Sequence, residues 1–262
     1  MNKLIDYIQK EIHTTYNKRY SKKYIQDKLI PIINYINYGK SKKFLFGGSQ
    51  GVGKSSFIKI ISKTIEKFYN KKILFLSLDD YYLSKKERVL LSKKIHRLLI
   101  TRGVPGTHNI EKLIKNVNQF DRNKYPINIP SFDKLLDDRS KSKTITNKNY
   151  NMLFLEGWCC GSSEIPKNYL YKNLNRLERV KDPKYVWRNY YNSKLKKEYY
   201  KLSKLFDEYI FMKTSSFENV FNWRVKQEKS NQSKNKNSKK MLPYEIELFI
   251  QHYEKISKWM IK

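Results

Sequence analysis

Residues 47–56 read GGSQGVGKSS. Within them Gly48, Ser49, Gln50, Gly51, Val52, Gly53, Lys54 and Ser55 fit the pattern G-x-x-x-x-G-K-[ST] in full. Each part has a physical purpose. The glycines let the backbone curl until successive N–H groups point inward, making a concavity for phosphate oxygens. A helix that starts there adds the positive end of its dipole. Lys54 then reaches the β- and γ-phosphates of a nucleotide, Ser55 offers its hydroxyl to Mg²⁺, and Ser56 continues the cradle.

The flanks suit such a loop. KFLFG (43–47) is a short apolar strand. After Lys54, Phe57, Ile61, Ile65 and Phe68 recur on one helical face. Working outward, residues 2–37 read as two helices, 73–78 (ILFLSL) as a second buried strand, and 86–100 and 110–121 as helices. Ile127 to Phe132 is a short extended piece, read as a sheet edge or a strand end, because the prolines at Pro126 and Pro130 donate no hydrogen bonds. Residues 152–155 (MLFL) and 209–213 (YIFMK) complete the strands. Stretches 166–207, 216–228 and 243–260 read as mainly helical. Apolar strands alternating with helices predict an α/β protein with a parallel sheet covered on both faces. We expect one domain over residues 1–262, with a helical N-terminal extension over 1–40. Residues 229–240 (KSNQSKNKNSKK) are low-complexity and polar, which predicts a mobile loop.

The chain has 262 residues, with 55 Lys+Arg against 24 Asp+Glu, a net charge of +31. Such a charge attracts polyanions. The lysines, however, are spread along the whole chain among many Asn, Ile and Tyr residues. That is the pattern of ordinary solvated faces, and no nucleic-acid recognition module is present. Two cysteines, Cys159 and Cys160, exclude a disulfide framework and a four-cysteine zinc site, and read as inert buried thiols. No apolar run reaches the ~18 residues needed to cross a bilayer. These features predict a cytoplasmic protein with no membrane partner.

The acids narrow the chemistry. Asn-Lys-x-Asp, needed to read guanine, is absent, since Asn147-Lys148-Asn149 is followed by Tyr150. Two strands end in carboxylates: Asp79 and Asp80 after ILFLSL, and Glu156 after MLFL. In a parallel sheet the C-terminal strand ends share one crevice, so Asp79, Glu156 and Lys54 should converge. A carboxylate there can orient and deprotonate an acceptor hydroxyl, as a kinase requires. Alone, Asp79-Asp80 reads equally well as a solvated turn that caps a helix; beside a phosphate cradle the site reading leads.

With these strings in view, the chain resembles a known group. SLDDYYL (77–83) resembles the Ser-x-Asp-x-Phe-Tyr element of the phosphoribulokinase, uridine kinase and pantothenate kinase group. RGVPGTHN (102–109), IPSFDK (129–134), DDR (137–139) and LEGWCCG (155–161), together with GGSQGVGKSS, narrow the resemblance to D-glycerate 3-kinase and its fungal ATP-dependent kinase relatives. A weaker similarity covers Asn222, Trp223, Arg224, Gln227 and Glu228, then residues 241–253. The resemblance implies a P-loop kinase fold with a sheet of about five parallel strands, helices on both faces and helical additions at both termini. It also implies ATP and Mg²⁺ dependence, with Asp79 as catalytic base and Glu156 as the acid near Mg²⁺. Asn109 and Asp137 depart from the group's usual Asp and Gly.

The acceptor implied is a small hydroxy acid, D-glycerate first. A uridine/cytidine or pantothenate kinase-like enzyme is the alternative, and a non-catalytic ATP-binding, nucleic-acid-associated protein is another. A carboxylate-bearing substrate needs planar cationic donors, for which arginine is best. Arg102 heads a glycine cluster (Gly103, Gly106), although it reads almost as readily as a helix C-terminal cation before a glycine cap. His108, Lys134, Arg139 and Tyr82 complete the acceptor-side candidates. Ser55 with Glu156 or Asp80 would hold Mg²⁺. Lys54, with Arg139 or Arg224, would neutralise charge on the transferring group.

Overall fold

The computed structural model describes residues 1–147, 149–234 and 242–262. Its main sheet holds four parallel strands in the order β2-β5-β1-β6: β1 Lys43–Gly47, β2 Ile73–Ser77, β5 Met152–Glu156 and β6 Glu208–Phe211. Two further strands, β3 Ile127–Asp133 and β4 Asp138–Ile145, form a separate antiparallel hairpin. The expected fifth strand of the sheet is therefore not in it. The stretch 127–132 instead pairs with β4, a strand of polar, mostly exposed residues that carries no apolar signal in the sequence. Pro130 lies where the hairpin register shifts, between Ile129 and Ser131, as expected of a residue without an N–H.

Period-two alternation splits the core into two layers. On one face Phe44, Phe46, Met152 and Phe154 pack with the N-terminal helices, through Ile5, Ile8, Ile12, Ile25, Ile33 and Ile36, and with the helix Lys54–Tyr69. The N-terminal segment comprises Asn2–Tyr16, then Lys22–Tyr24, a π turn Ile25–Leu29 and Ile30–Tyr38. It is thus one cover of the sheet, and Lys63 ties it to the neighbouring helix through Glu11 at 2.7 Å. On the other face Leu45, Leu74, Leu76, Leu153 and Leu155 pack with the helix Ile110–Asp121, the helical segment 167–203 and the C-terminal helix Pro243–Ile261.

The stretch 166–207 is broken into short helices, Lys167–Leu170, Arg176–Lys181, Val186–Lys194 and Tyr200–Ser203, with a π turn at Leu195–Tyr199. A buried ion network holds them to the C-terminal helix: Arg188 bonds Asp182 at 2.9 Å, and Lys255 meets Glu178 at 3.2 Å. Removing one partner would leave a buried charge uncompensated, typically a cost of about 3–5 kcal/mol. The helix Glu218–Lys234 runs through residues 229–234, the first half of the expected polar loop; residues 235–240 lie outside the described residues. Among the described residues no helix is long and apolar enough to cross a membrane.

Candidate active site

The register brings the sequence motifs to one edge. Glu156, the last residue of β5, aligns with Ser77 of β2 on one side and with Phe46 of β1, next to Gly47, on the other. The C-terminal tips of three neighbouring strands therefore carry the loop 48–53, Glu156 and the acids after Ser77. The loop has the expected shape: Gly48, Gly51 and Gly53 all sit at positive φ. Gly51 shows the constraint most sharply. Its φ is 81°, and a Cβ there would lie 2.6 Å from Cβ of Trp223, so a side chain is excluded by conformation and by space.

Lys54 opens the helix Lys54–Tyr69, and its Nζ donates to the carbonyls of Gly48 (2.7 Å) and Ser49 (3.0 Å). Burial pushes the Lys54 ammonium down, while the Glu156 and Asp79 carboxylates favour its charge. Both acids predicted to converge on Lys54 thus act on it. Ser55 and Ser77 both donate to Oε1 of Glu156, at 2.9 and 3.1 Å. Ser56 meets the side chain of Tyr16, whose hydroxyl also donates to the Gly53 carbonyl at 3.4 Å.

Asp79 and Asp80 lie in a 3-10 turn, Leu78–Tyr81. Asp79 accepts from Tyr82 at 3.0 Å and from Lys134 at 2.6 Å. Burial acts to raise its pKa, but the Lys134 charge and hydrogen bond, with help from His108 and Tyr82, outweigh it and hold Asp79 below the usual carboxylate range. Asp80 goes the other way: burial raises it, and the neighbouring Asp79 and Glu156 charges add to the rise against a backbone hydrogen bond from Phe132. Glu156 with its two serine hydroxyls offers oxygens of the kind that suit a hard cation, although among the described residues no group of three or more Asp, Glu, His or Cys side chains is placed to hold a metal ion.

Next to Asp79 the acceptor-side candidates form one layer. The Tyr82 ring stacks on His108 at 4.3 Å and meets Phe132 edge-on at 5.1 Å. The Arg102 guanidinium lies over Phe132 at 5.4 Å, donates to Lys134 O at 3.4 Å and pairs with Asp137. His108 is buried, shares a 2.6 Å hydrogen bond with Tyr199 at Nδ1, and is pushed down to about 3 by burial against the pull of Asp79, so its imidazole is neutral. Its Nε2 has no partner among the described residues.

Arg139 stands differently: it donates to the Tyr82 carbonyl at 3.1 Å and pairs with Glu87 at 3.3 Å, which binds the β4 end of the hairpin to the helix Lys85–Lys94. Arg224 lies over the Phe249 ring at 5.2 Å and influences Tyr253, as Arg102 does. Cys159 and Cys160 are free, buried thiols, both pushed up by burial.

Sequence reasoning missed several supporting residues. Asp137 accepts from Arg102 and pairs with the buried Arg88 at 3.0 Å. Tyr253, from the C-terminal helix, donates to Arg102 O at 2.9 Å. Gly103, at φ 136°, leaves room for that ring: a Cβ there would lie 2.3 Å from Tyr253 Cε1. Trp158 closes the same turn by donating to Gly103 O at 3.0 Å. Asp137 stood within the DDR string; Tyr253 left no local signal, because its partner is 151 residues away.

Comparison with known proteins agrees with this arrangement. The model of the KAP family P-loop domain matches residues 22–103. The probable ATP-dependent kinase TDA10 of Saccharomyces cerevisiae is 27% identical over 221 residues, 79% of this chain and 73% of that protein. The uncharacterized kinase mug58 of Schizosaccharomyces pombe is 26% identical over 247 residues, 87% of this chain and 85% of that protein. Among solved structures, the YGR205w protein superposes with a TM-score of 0.63 at 25% identity, covering 90% of this chain and 84% of that one. The D-glycerate 3-kinase of Cryptococcus neoformans superposes with a TM-score of 0.69 at 20% identity over 100% of this chain and 89% of that one, a likeness of fold. The chain thus has a P-loop kinase fold, with its phosphate loop at the strand tips, and is similar over most of its length to two fungal kinases.

Proposed function

We propose that the protein transfers the γ-phosphoryl group of ATP to a hydroxyl of a small hydroxy acid, with D-glycerate the first candidate. The observation that carries this reading is Asp79: a carboxylate kept ionised by Lys134 and Tyr82, and electrostatically coupled to Lys54 across the strand tips. An ionised carboxylate beside a phosphate loop is placed to accept a hydroxyl proton. The D-glycerate 3-kinase fold of Cryptococcus neoformans supports the acceptor class.

In this reading residues 48–56 cradle the triphosphate, and Lys54 turns from the loop carbonyls to its terminal phosphates. Ser55 and Glu156, with Asp80 beside them, would hold Mg²⁺, which neutralises phosphate charge when bound. The Asp79 carboxylate hydrogen-bonds the acceptor hydroxyl and takes its proton. Lys134, 59% exposed, leaves Asp79 for the acceptor carboxylate, and Arg102 supplies a second cation. The neutral His108 offers Nε2 to a hydroxyl. Arg139 supports the hairpin that carries Lys134, and Arg224 would help Lys54 neutralise charge on the transferring group.

The test is an acceptor panel: ADP formation from ATP with D-glycerate, L-glycerate, uridine, cytidine and pantothenate. We expect turnover with D-glycerate. A nucleoside or pantothenate as the preferred acceptor would replace the substrate assignment. ATP binding without any acceptor-dependent ADP, together with steeply salt-dependent polynucleotide binding, would remove the kinase reading.

The acid limb of kcat/KM supplies a further expectation. It reports groups of the free enzyme, where Lys134 holds Asp79 low. Asp79 is competent when ionised, so activity is lost as pH falls through its pKa. In Lys134→Met the cation and its hydrogen bond are gone and burial is left to dominate. The acid limb then moves toward neutral pH, while acceptor KM rises. An acid limb that stays in place would show that Asp79 is not the titrating base.

A further inference from the structure

The site groups described above gather where β1, β2 and β5 end. At the opposite edge, where β1 and β5 begin, lies a cavity of about 450 Å³. Lys40, Lys42 and Lys71 line it together with Phe120, Tyr125 and Tyr150. β1 and β5 each run for five residues, so at about 3.3 Å per residue the two edges stand about 15 Å apart. The sheet itself therefore separates this cavity from the phosphate loop.

Contacts between distant segments hold the cavity open. The Asp207 carboxylate accepts the N–H groups of Lys42 and Lys43 at 2.8 and 2.9 Å. Asn151 pairs with Lys72 in both directions: its side-chain oxygen accepts from the Lys72 N–H, and its own N–H donates to Lys72 O, each at 2.8 Å. Asp121 is the one carboxylate in the described wall, and Lys43 neutralises it at 2.8 Å, tying the helix Ile110–Asp121 to the start of β1. Lys71 donates to Asn37 O, which leaves it two of its three protons. Among the described residues Lys40, Lys42 and Lys71 form no ion pair. Three ammonium groups thus border one volume whose own acid is already paired. The aromatic side is anchored as well. Phe120, Tyr125 and Tyr150 pack partly buried against the core, and burial with the neighbouring Tyr150 raises the Tyr125 phenol.

We propose that this cavity is a second ligand site, separate from the ATP site, that takes a nucleoside monophosphate: the lysines hold the phosphate and the aromatic side chains take the base. A phosphomonoester carries about −1.5 to −2 charges at neutral pH, more than a carboxylate, and lysines bind it as point charges. The three rings offer faces to a planar base. The Asn123 and Asn151 amides, also in the wall, offer donors and acceptors to its edge. The volume lies within the range of about 300–1,000 Å³ that holds a whole small ligand. The site rests on the cavity and its charges, not on the kinase reading.

The experiment is a calorimetric titration with AMP, CMP, GMP and UMP of protein already saturated with Mg²⁺ and a non-hydrolysable ATP analogue. We expect at least one of these nucleotides to bind at a single site per chain. Lys40→Glu combined with Lys42→Glu should weaken it by roughly tenfold or more, the range for a lost charged hydrogen bond. Both side chains are exposed, so the double variant should fold, with ATP affinity and acceptor-dependent turnover unchanged. Tyr150→Leu should weaken the nucleotide by roughly 5- to 150-fold, the range of one lost base–aromatic stack, and Tyr150→Phe should retain it. In the unaltered chain, the nucleotide should slow hydrogen exchange in residues 38–43 and 119–126 and leave 47–56 as they were. No binding to the saturated protein would overturn the site and leave the kinase reading standing. So would inorganic phosphate or the free nucleoside binding as tightly as the nucleotide, or protection confined to 47–56. An oligonucleotide that binds there more tightly than the mononucleotide would overturn the small-ligand assignment. If the ATP analogue itself fails to bind, the phosphate-loop reading falls, and the same titration of the unliganded chain, read by the double lysine variant, still decides this site.

Discussion

Lys54→Met lowers kcat/KM for phosphoryl transfer by about 10²- to 10³-fold, the usual cost of removing one preorganised charge from a transferring group, and leaves the protein folded. Lys54 is only 8% exposed, and its ammonium sits on two loop carbonyls. Methionine keeps the apolar stem of the side chain and removes the charge. Two effects on stability oppose each other. Burial penalises the ammonium, so its loss relieves a cost; Glu156 and Asp79 favour it, so its loss leaves them less compensated. We therefore expect an unchanged circular dichroism spectrum and a melting temperature near that of the unaltered protein. Lys54→Arg is not expected to rescue activity, because a planar fork is a different shape from a compact ammonium. Turnover near normal in a well-folded Lys54→Met protein would place the phosphates elsewhere.

Asp79→Asn produces the second large loss, about 10²- to 10⁴-fold in kcat, the range for a positioned general base. The geometry makes this substitution a clean probe. The Asn side-chain oxygen can still accept from Tyr82, which now holds Asp79 at 3.0 Å, so the turn Leu78–Tyr81 has no reason to rearrange. What disappears is the negative charge. Lys134 loses its partner, and Lys54 loses one of two carboxylates that favour its charged form. ATP affinity should not fall, since a negative charge close to the triphosphate has been removed. The two variants thus separate by kinetics: Lys54→Met weakens tripolyphosphate and ATP binding, whereas Asp79→Asn spares binding and lowers kcat. Near-normal turnover in Asp79→Asn would take the residue out of the base role and leave Asp80 as the remaining acid of that turn.

Much of this site was legible because its parts are local. The phosphate loop is eight consecutive residues, and the φ values of Gly48, Gly51 and Gly53 follow from their residue type. The convergence of Lys54, Asp79 and Glu156 was legible too, because parallel strands place their C-terminal ends on one edge; the register of Ser77 and Phe46 with Glu156 bears that out. The fifth strand shows the opposite case. An apolar run with prolines reads as a sheet edge or strand end, and nothing local shows that its partner is the polar stretch DRSKSKTI, whose side chains up to the buried Ile145 are mostly exposed. The N-terminal helical addition is legible in the sequence; that its isoleucines cover a face of the sheet follows from the packing, because a parallel sheet must be buried on both sides.

By itself, then, the amino-acid order determined the phosphate loop, the strand tips that face it and the class of chemistry they share, since each depends on residues adjacent in the chain or on the fixed polarity of a parallel sheet. Only the tertiary structure decided the partners that meet across the fold: Lys134 on Asp79, Asp137 on Arg102, Tyr253 under Gly103 and the lysines that gather with Tyr125 and Tyr150 at the strand starts. Those contacts join residues tens to hundreds of positions apart, and their strength comes from burial and short-range electrostatics, which no local pattern encodes.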